Sequence, residues 1–146
     1  MGEEEIGREV VDSAVWIHRA LGPGLLETVY EAVLAEELRK RALCVDRQVA
    51  ISLDYEGLKF EEAFRADLVV EQKVIVEIKC VETLNYAHRK QLLTYLRLSN
   101  LRLGYLLNFA ESLMKNGITR TVHHLPLPTD SSSFSGFPPS RLRERS

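Results

Sequence analysis

The sequence predicts an α/β fold: a mixed β-sheet flanked by helices, in the order ααβββαββ. Three observations lead there. Apolar residues recur at helical spacing from Glu5 to Arg41, interrupted by Gly22-Pro23-Gly24. From Val45 to Val81 the chain alternates or runs apolar in three stretches separated by turn residues, the signature of a meander. A helical stretch over 83–98 then precedes "LRLGYLLNF" at 101–109, which returns a strand to the same sheet.

Each element has its own reason. The first helix, Glu5 to Ala20, carries Val10, Ala14, Ile17 and Leu21 on one stripe. "GPG" ends it, because Gly supplies a left-handed cap and Pro cannot continue the helix. The second helix, Leu25 to Arg41, turns Leu26, Tyr30, Val33, Leu34 and Leu38 inward. "VDRQVAISLDY" (45–55) and "LKFEEAFRADLVV" (58–70) read as strands joined at Glu56-Gly57, with "KVIVEIKCV" (73–81) as the third. "TRTVHHL" (119–125) is a weaker last strand. The predicted domain spans 1–125. Residues 126–146, "PLPTDSSSFSGFPPSRLRERS", are rich in Ser and Pro and are expected to form a disordered tail, because they bury too little surface to offset ordering entropy.

The third strand poses a chemical problem. It reads as buried on both faces, yet carries Glu77 and Lys79, with Asp67 ten residues before Glu77. Ionised groups in an apolar strand cost several kcal/mol unless compensated. Alternation places Ile75, Glu77 and Lys79 on one face and Val74, Val76, Ile78 and Cys80 on the other. A three-residue loop at Glu71-Gln72-Lys73 pairs Val70 with Val74, and so sets Asp67 opposite Glu77. A two-residue turn at Gln72-Lys73 sends Asp67 to the other side. With the longer loop, two carboxylates and an ammonium converge, and a divalent cation relieves the repulsion between the carboxylates. The competing reading is a plain Glu77–Lys79 pair near a strand end, with Asp67 in a turn. Gln72 is a poor turn residue where glycine would adopt positive φ more easily.

Asp67 followed by Glu77-Ile78-Lys79 resembles the D…(D/E)xK signature of the PD-(D/E)XK, restriction-endonuclease-like nucleases. "GLLETVY" at 24–30 is similar to the GxxExxY motif of a small bacterial family within them. "FRADLVVEQKVIVEIK" and "HRKQLLTYLRLSNLRLGYLLNF" resemble that family's central and later segments, so the likeness covers about residues 5–125. The resemblance implies that Asp67 and Glu77 bind Mg²⁺ or Mn²⁺, helped by the Ile78 carbonyl, and that Lys79 is the catalytic lysine. It implies that Glu27 is an additional ligand or water-orienting group, although Glu in a first helical turn is also favoured by the macrodipole. Gln91 and Tyr95 resemble a QxxxY element of exonuclease-like relatives and lie on one helical stripe with Leu84, His88 and Leu98. His88, Arg89 and Lys90, with Arg97 and Arg102, form the best local patch for phosphates, though a solvated helix face has the same composition.

Bulk properties set limits. A 146-residue chain that is 45% hydrophobic and 27% charged is an ordinary globular domain. A net charge of −2 gives no global attraction for nucleic acid. No apolar run reaches a membrane span, and "MGEEEIGREV" lacks a signal-peptide core, so a cytoplasmic location is expected. Cys44 and Cys80 form no CxxC pair, and His123-His124 on a strand would point apart rather than share a metal. The expected function is Mg²⁺- or Mn²⁺-dependent hydrolysis of phosphodiester bonds, in DNA rather than RNA on superfamily grounds. A protein partner or a homodimer is one source of the basic surface the chain lacks. The alternatives are a non-catalytic nucleic-acid-binding or assembly module on the same fold, and a hydrolase of another phosphoester, for which no P-loop is present.

Overall fold

A computed structural model describes residues 1–125; the segment read as a tail, 126–146, lies outside the described residues. Helix α1, Glu3–Leu21, opens on three glutamates that complement its N-terminal dipole. It buries Ile6, Val10, Ala14 and Ile17. It ends where the Gly22 N–H donates to the His18 carbonyl at 2.8 Å, with Gly22 at φ +69°. Helix α2, Glu27–Lys40, buries Tyr30, Leu34, Ala35 and Leu38 against the same core. Leu21 and Leu26, both read as core from their spacing, are 43% and 73% exposed. They sit at the two ends of the Gly22–Leu25 connection, where the helical stripe has already turned away from the sheet.

Five strands form one sheet in chain order: β1 Val45–Tyr55, β2 Leu58–Val70, β3 Val74–Lys79, β4 Leu103–Asn108 and β5 Ile118–Val122. β1, β2 and β3 form the antiparallel meander, β3 and β4 run parallel, and β5 returns antiparallel. Helix α3, Tyr86–Ser99, makes the β3–β4 crossover, as a parallel pair requires. It is capped by Asn85, whose side chain accepts the His88 N–H, and it ends at Asn100 in the left-handed region. A short 3₁₀ turn, Met114–Gly117, leads into β5.

The sheet separates two apolar layers. Leu68, Val70, Val74, Val76, Ile78, Leu103 and Leu107 pack on α1 and α2, while Val69, Ile75 and Leu106 pack on Leu92 and Leu96 of α3. Each such fully buried aliphatic side chain contributes about 1.5–3 kcal/mol relative to exposure. β3 is buried on both faces over most of its length, as the apolar run around Glu77 predicts.

Candidate metal and catalytic site

The site begins with a failure of regular alternation. In β2, Leu68 and Val70 face α1 and α2, but Phe64 and Ala66, of the same parity, face α3. In β1, Val45 and Val49 differ in the same way. The phase changes at Gln48, which has φ +53°, and at Asp67, which lies opposite it in the β1–β2 register. Beyond this point the β1–β2 ribbon leaves the sheet. β3 pairs with β2 only from Val74 to Val76, although its ladder with β4 runs on to Lys79. The edge of β3 is therefore open beside Glu77.

The turn that sets this register is the three-residue one. Val70 pairs with Val74, and the Lys73 N–H donates to the Val70 carbonyl at 3.0 Å. Glu71 and Gln72 take φ +54° and +55° without a glycine, at a cost of about 1 kcal/mol or more each. Two bonds to one residue hold the loop there. The Glu71 N–H donates to the Cys44 carbonyl at 2.8 Å, and the Cys44 N–H donates to Glu71 Oε2 at 2.6 Å.

Carboxylates occupy the places that ladder bonds have vacated. The Asp67 N–H donates to Glu77 Oε2 at 2.8 Å, and the Ile78 N–H donates to Asp67 Oδ2 at 2.8 Å. Each strand thus satisfies its orphaned backbone donor with an acid from the other. Glu77 is only 5% exposed. Burial, and then the Asp67 charge, push its carboxyl up to about 8, against the lowering effect of the Asp67 N–H and of Lys79. Asp67 is also raised, chiefly by burial, with Glu31 adding to it. No cationic side chain among the described residues forms an ion pair with either acid. A buried acid pair of this kind, with Glu77 Oε1 outside the hydrogen bonds, fits a hard divalent cation. Among the described residues no three His, Cys, Asp or Glu side chains converge into a complete ligand set. Glu27 therefore does not join Asp67 and Glu77 as a third ligand; its carboxylate accepts the Cys80 N–H instead.

Lys79 ends β3 on the same strand face as Glu77, in register with Asn108 of β4. Asn108 is fully buried and clamps the chain just beyond it: its Nδ2 donates to the Val81 carbonyl at 2.8 Å, and its Oδ1 accepts the Val81 N–H at 3.1 Å. Glu27, in the first turn of α2, accepts the Cys80 N–H at 2.9 Å, which ties α2 to the end of β3. Tyr30 places Glu27. Its ring stacks on Phe109 at 4.4 Å, and its hydroxyl bonds the Gly22 carbonyl and accepts the Leu25 N–H. The spacing of Gly24, Glu27 and Tyr30 is thereby explained: Gly24 takes φ +109°, Tyr30 staples the loop, and Glu27 reaches the strand.

The acid nearest the pair on α2 is Glu31, one turn after Glu27. Glu31 is buried, and its charge raises both Asp67 and Glu77. Gln48 Nε2 bridges it at 2.9 Å to Asp67 Oδ1 at 3.4 Å, and Arg47 Nε donates to it at 3.1 Å. Sequence reasoning passed over Glu31, Gln48 and Asn108. The available signal was the helical spacing of four residues from Glu27 to Glu31.

From α3, Tyr95 stacks on Phe64 at 3.7 Å, and burial together with the Glu77 and Asp67 charges raises its hydroxyl. Gln91 is exposed one turn earlier. His88 accepts the Asn85 N–H at its Nδ1, so its ring serves the helix cap; Lys90 lies over the Tyr86 ring at 4.6 Å, and Arg89 is exposed. His123 and His124 do not point apart: β5 ends at Val122, His124 takes φ +56°, and the rings lie 4.2 Å apart. His123 is lowered to about 4 by burial and by nearby His124 and Arg97, a cationic setting unlike a metal site.

A family model described as the PD-(D/E)XK nuclease superfamily matches residues 4–121. No curated protein matches the chain. Among solved structures the chain is similar to one described as SSO0001, with 20% identity and a TM-score of 0.49. That match covers 97% of this chain and 64% of the other, so this chain spans less than two thirds of the matched structure.

Proposed function

We infer that this chain, which belongs to the PD-(D/E)XK nuclease superfamily, is a Mg²⁺- or Mn²⁺-dependent phosphodiesterase that cleaves nucleic acid, with DNA as the first substrate to test. "GLLETVY" at 24–30 supports the reading that it stands on the GxxExxY branch. One observation carries the reading. Where β2 leaves β3, Asp67 and Glu77 each take the other strand's backbone N–H, and burial raises both acids. A strand end arranged in this way costs stability until a cation arrives, and that cost is characteristic of a functional site.

Asp67, Glu77 and the Ile78 carbonyl would hold the ion. When bound, the ion supplies Lewis-acid stabilisation to the charge that develops on the scissile phosphate. The chain's own groups do the rest. Lys79 would position the attacking water and the scissile phosphate by hydrogen bonding, and its place is held by the Asn108 clamp on Val81. Glu27 and Glu31 bracket the site from α2; Glu31 acts through Gln48 to orient Asp67. Tyr95 and Gln91 approach from α3 as groups for the substrate strand, with His88, Arg89 and Lys90 farther along the helix as phosphate contacts. A protein partner or a second copy would add the basic surface that a net charge of −2 withholds.

The test is cleavage of labelled single- and double-stranded DNA and RNA, with Mg²⁺, Mn²⁺ or EDTA, alongside Lys79→Ala and Glu77→Ala. Metal-dependent cutting that both variants lose is the expected result. Intact substrate under every condition, with metal and nucleic acid still bound, would replace the hydrolase with the binding-module reading.

A further inference from the structure

A cleft of about 360 Å³ opens between the C-terminal end of α1 and the loop before β5, lined by Val15, His18, Arg19, Pro23, Leu113 and Lys115 among others. Neither the carboxylate pair nor the α3 residues belong to it. Its walls are nevertheless joined to the end of β3 by short stretches of chain. Pro23 lies four residues before Glu27, which accepts the Cys80 N–H, and Ser112 lies three residues after Phe109, whose N–H donates to the Lys79 carbonyl at 2.9 Å. At about 3.6 Å per residue, each wall stands within roughly 15 Å of a residue that touches the end of the catalytic strand.

The cleft's chemistry has two halves. Val15, Pro23 and Met114 make an apolar lining, and Leu113 continues it to the rim at 55% exposure. The His18 ring is fixed in place: its Nε2 bonds the Glu111 carbonyl at 2.8 Å, and it lies tilted against Phe109. Beside this lining stand Arg19 and Lys115, and neither forms an ion pair among the described residues. Two cations without carboxylate partners next to a small apolar slot, on a chain of net charge −2, complement a flat ring attached to an anion. The chain's own residues 126–146 fit less well, because they carry Arg141, Arg143 and Arg145 against Asp130 and Glu144 and would repel both cations.

We propose that this cleft seats an unpaired nucleobase of the substrate strand, with an adjacent phosphate on Arg19 and Lys115. The assignment rests on the nuclease reading and deepens it: the enzyme would engage single-stranded or frayed nucleic acid. At this volume, near the low end of ligand pockets, the slot takes one heterocycle and not a base pair.

Trp16, the single tryptophan, provides the readout. It is 61% exposed on α1, three residues before Arg19, so its emission reports on this region. The full chain in EDTA is titrated with a short oligothymidylate and with a blunt duplex of the same length. The single strand should bind more tightly and quench Trp16. Arg19→Gln and Lys115→Gln should each weaken single-strand binding by about tenfold, and each should reduce the slope of log affinity against log salt by about 0.7. Equal affinity and slope in the wild type and both glutamine variants would overturn the cleft while leaving the nuclease intact. So would a wild type that binds no single strand. Loss of binding in both variants, with no cleavage by the wild type under any metal, would keep the cleft and refute the nuclease.

Discussion

Metal-free protein should weaken as pH rises through neutrality, and Glu77→Gln should abolish most of that loss. The sign follows from where the proton sits. Glu77 titrates near 4.5 in an unfolded chain and is pushed up to about 8 in the folded one. The folded state therefore holds a proton that the unfolded state has released. Its contribution to stability is complete below 4.5 and disappears as pH rises through about 8. At about 1.4 kcal/mol for each tenfold change in proton affinity, that interval is worth on the order of 5 kcal/mol, shared with the coupled Asp67. His123, lowered from 6.5 to about 4, runs the other way and stabilises the fold as pH rises through that range. The quantity to read is therefore the difference between the wild type and Glu77→Gln, in which the His123 contribution cancels. Thermal unfolding followed by circular dichroism in EDTA supplies it. The two proteins should melt together near ~pH 5, and the variant should melt higher by on the order of 10 °C near ~pH 8.5. Parallel curves across the whole range, or a variant that is less stable throughout, would refute the claim that Glu77 is buried uncompensated.

Other predictions concern how the site is held. Tyr30→Phe removes the hydroxyl from the Gly22 carbonyl and the Leu25 N–H, and should cost about 1–3 kcal/mol in urea unfolding; no loss would mean that the loop holds itself. Asn108→Ala strips the clamp from Val81 and should cost about 2–4 kcal/mol, with faster amide exchange at Val81; unchanged exchange there would contradict its role. Glu31→Gln removes a negative charge that raises both acids, so carboxyl titration by NMR should show Glu77 moving down, and an upward move would count against the placement of Glu31 beside the pair.

Much of this arrangement was legible in the sequence, for identifiable reasons. The helix stop at Gly22-Pro23-Gly24 and the turn at Glu56-Gly57 are fixed by backbone preferences that act locally. Alternation makes the facing of Asp67 and Glu77 conditional on loop length, and the three-residue loop supplies the required register as far as Leu68 and Val76; beyond it the two acids meet through each other's backbone N–H groups. What the sequence concealed depends on contacts between distant segments. Positive φ at Glu71 and Gln72 is stabilised by Cys44, on the opposite side of the ribbon, and no local rule anticipates it. Glu31 looks like one more solvated glutamate of "EE" and "RKR" helix composition until Arg47 and Gln48 fold against it. Leu21 and Leu26 fall on the apolar stripes by spacing yet lie exposed, because periodicity does not say where a helix stops touching its sheet. The cleft beside Arg19 and Lys115 joins segments about ninety residues apart, and spacing within either one gives no hint of it.

The central claim is that the Asp67–Glu77 pair is a cation site, and Mn²⁺ titration calorimetry of the metal-free chain tests it most directly. The wild type and Lys79→Ala should both bind, more tightly at ~pH 8.5 than at ~pH 6, with proton release at the lower pH because the ion displaces the Glu77 proton. Asp67→Ala and Glu77→Ala should lose that heat. Equal binding by the wild type and both alanine variants, or affinity that does not change with pH, would contradict the account.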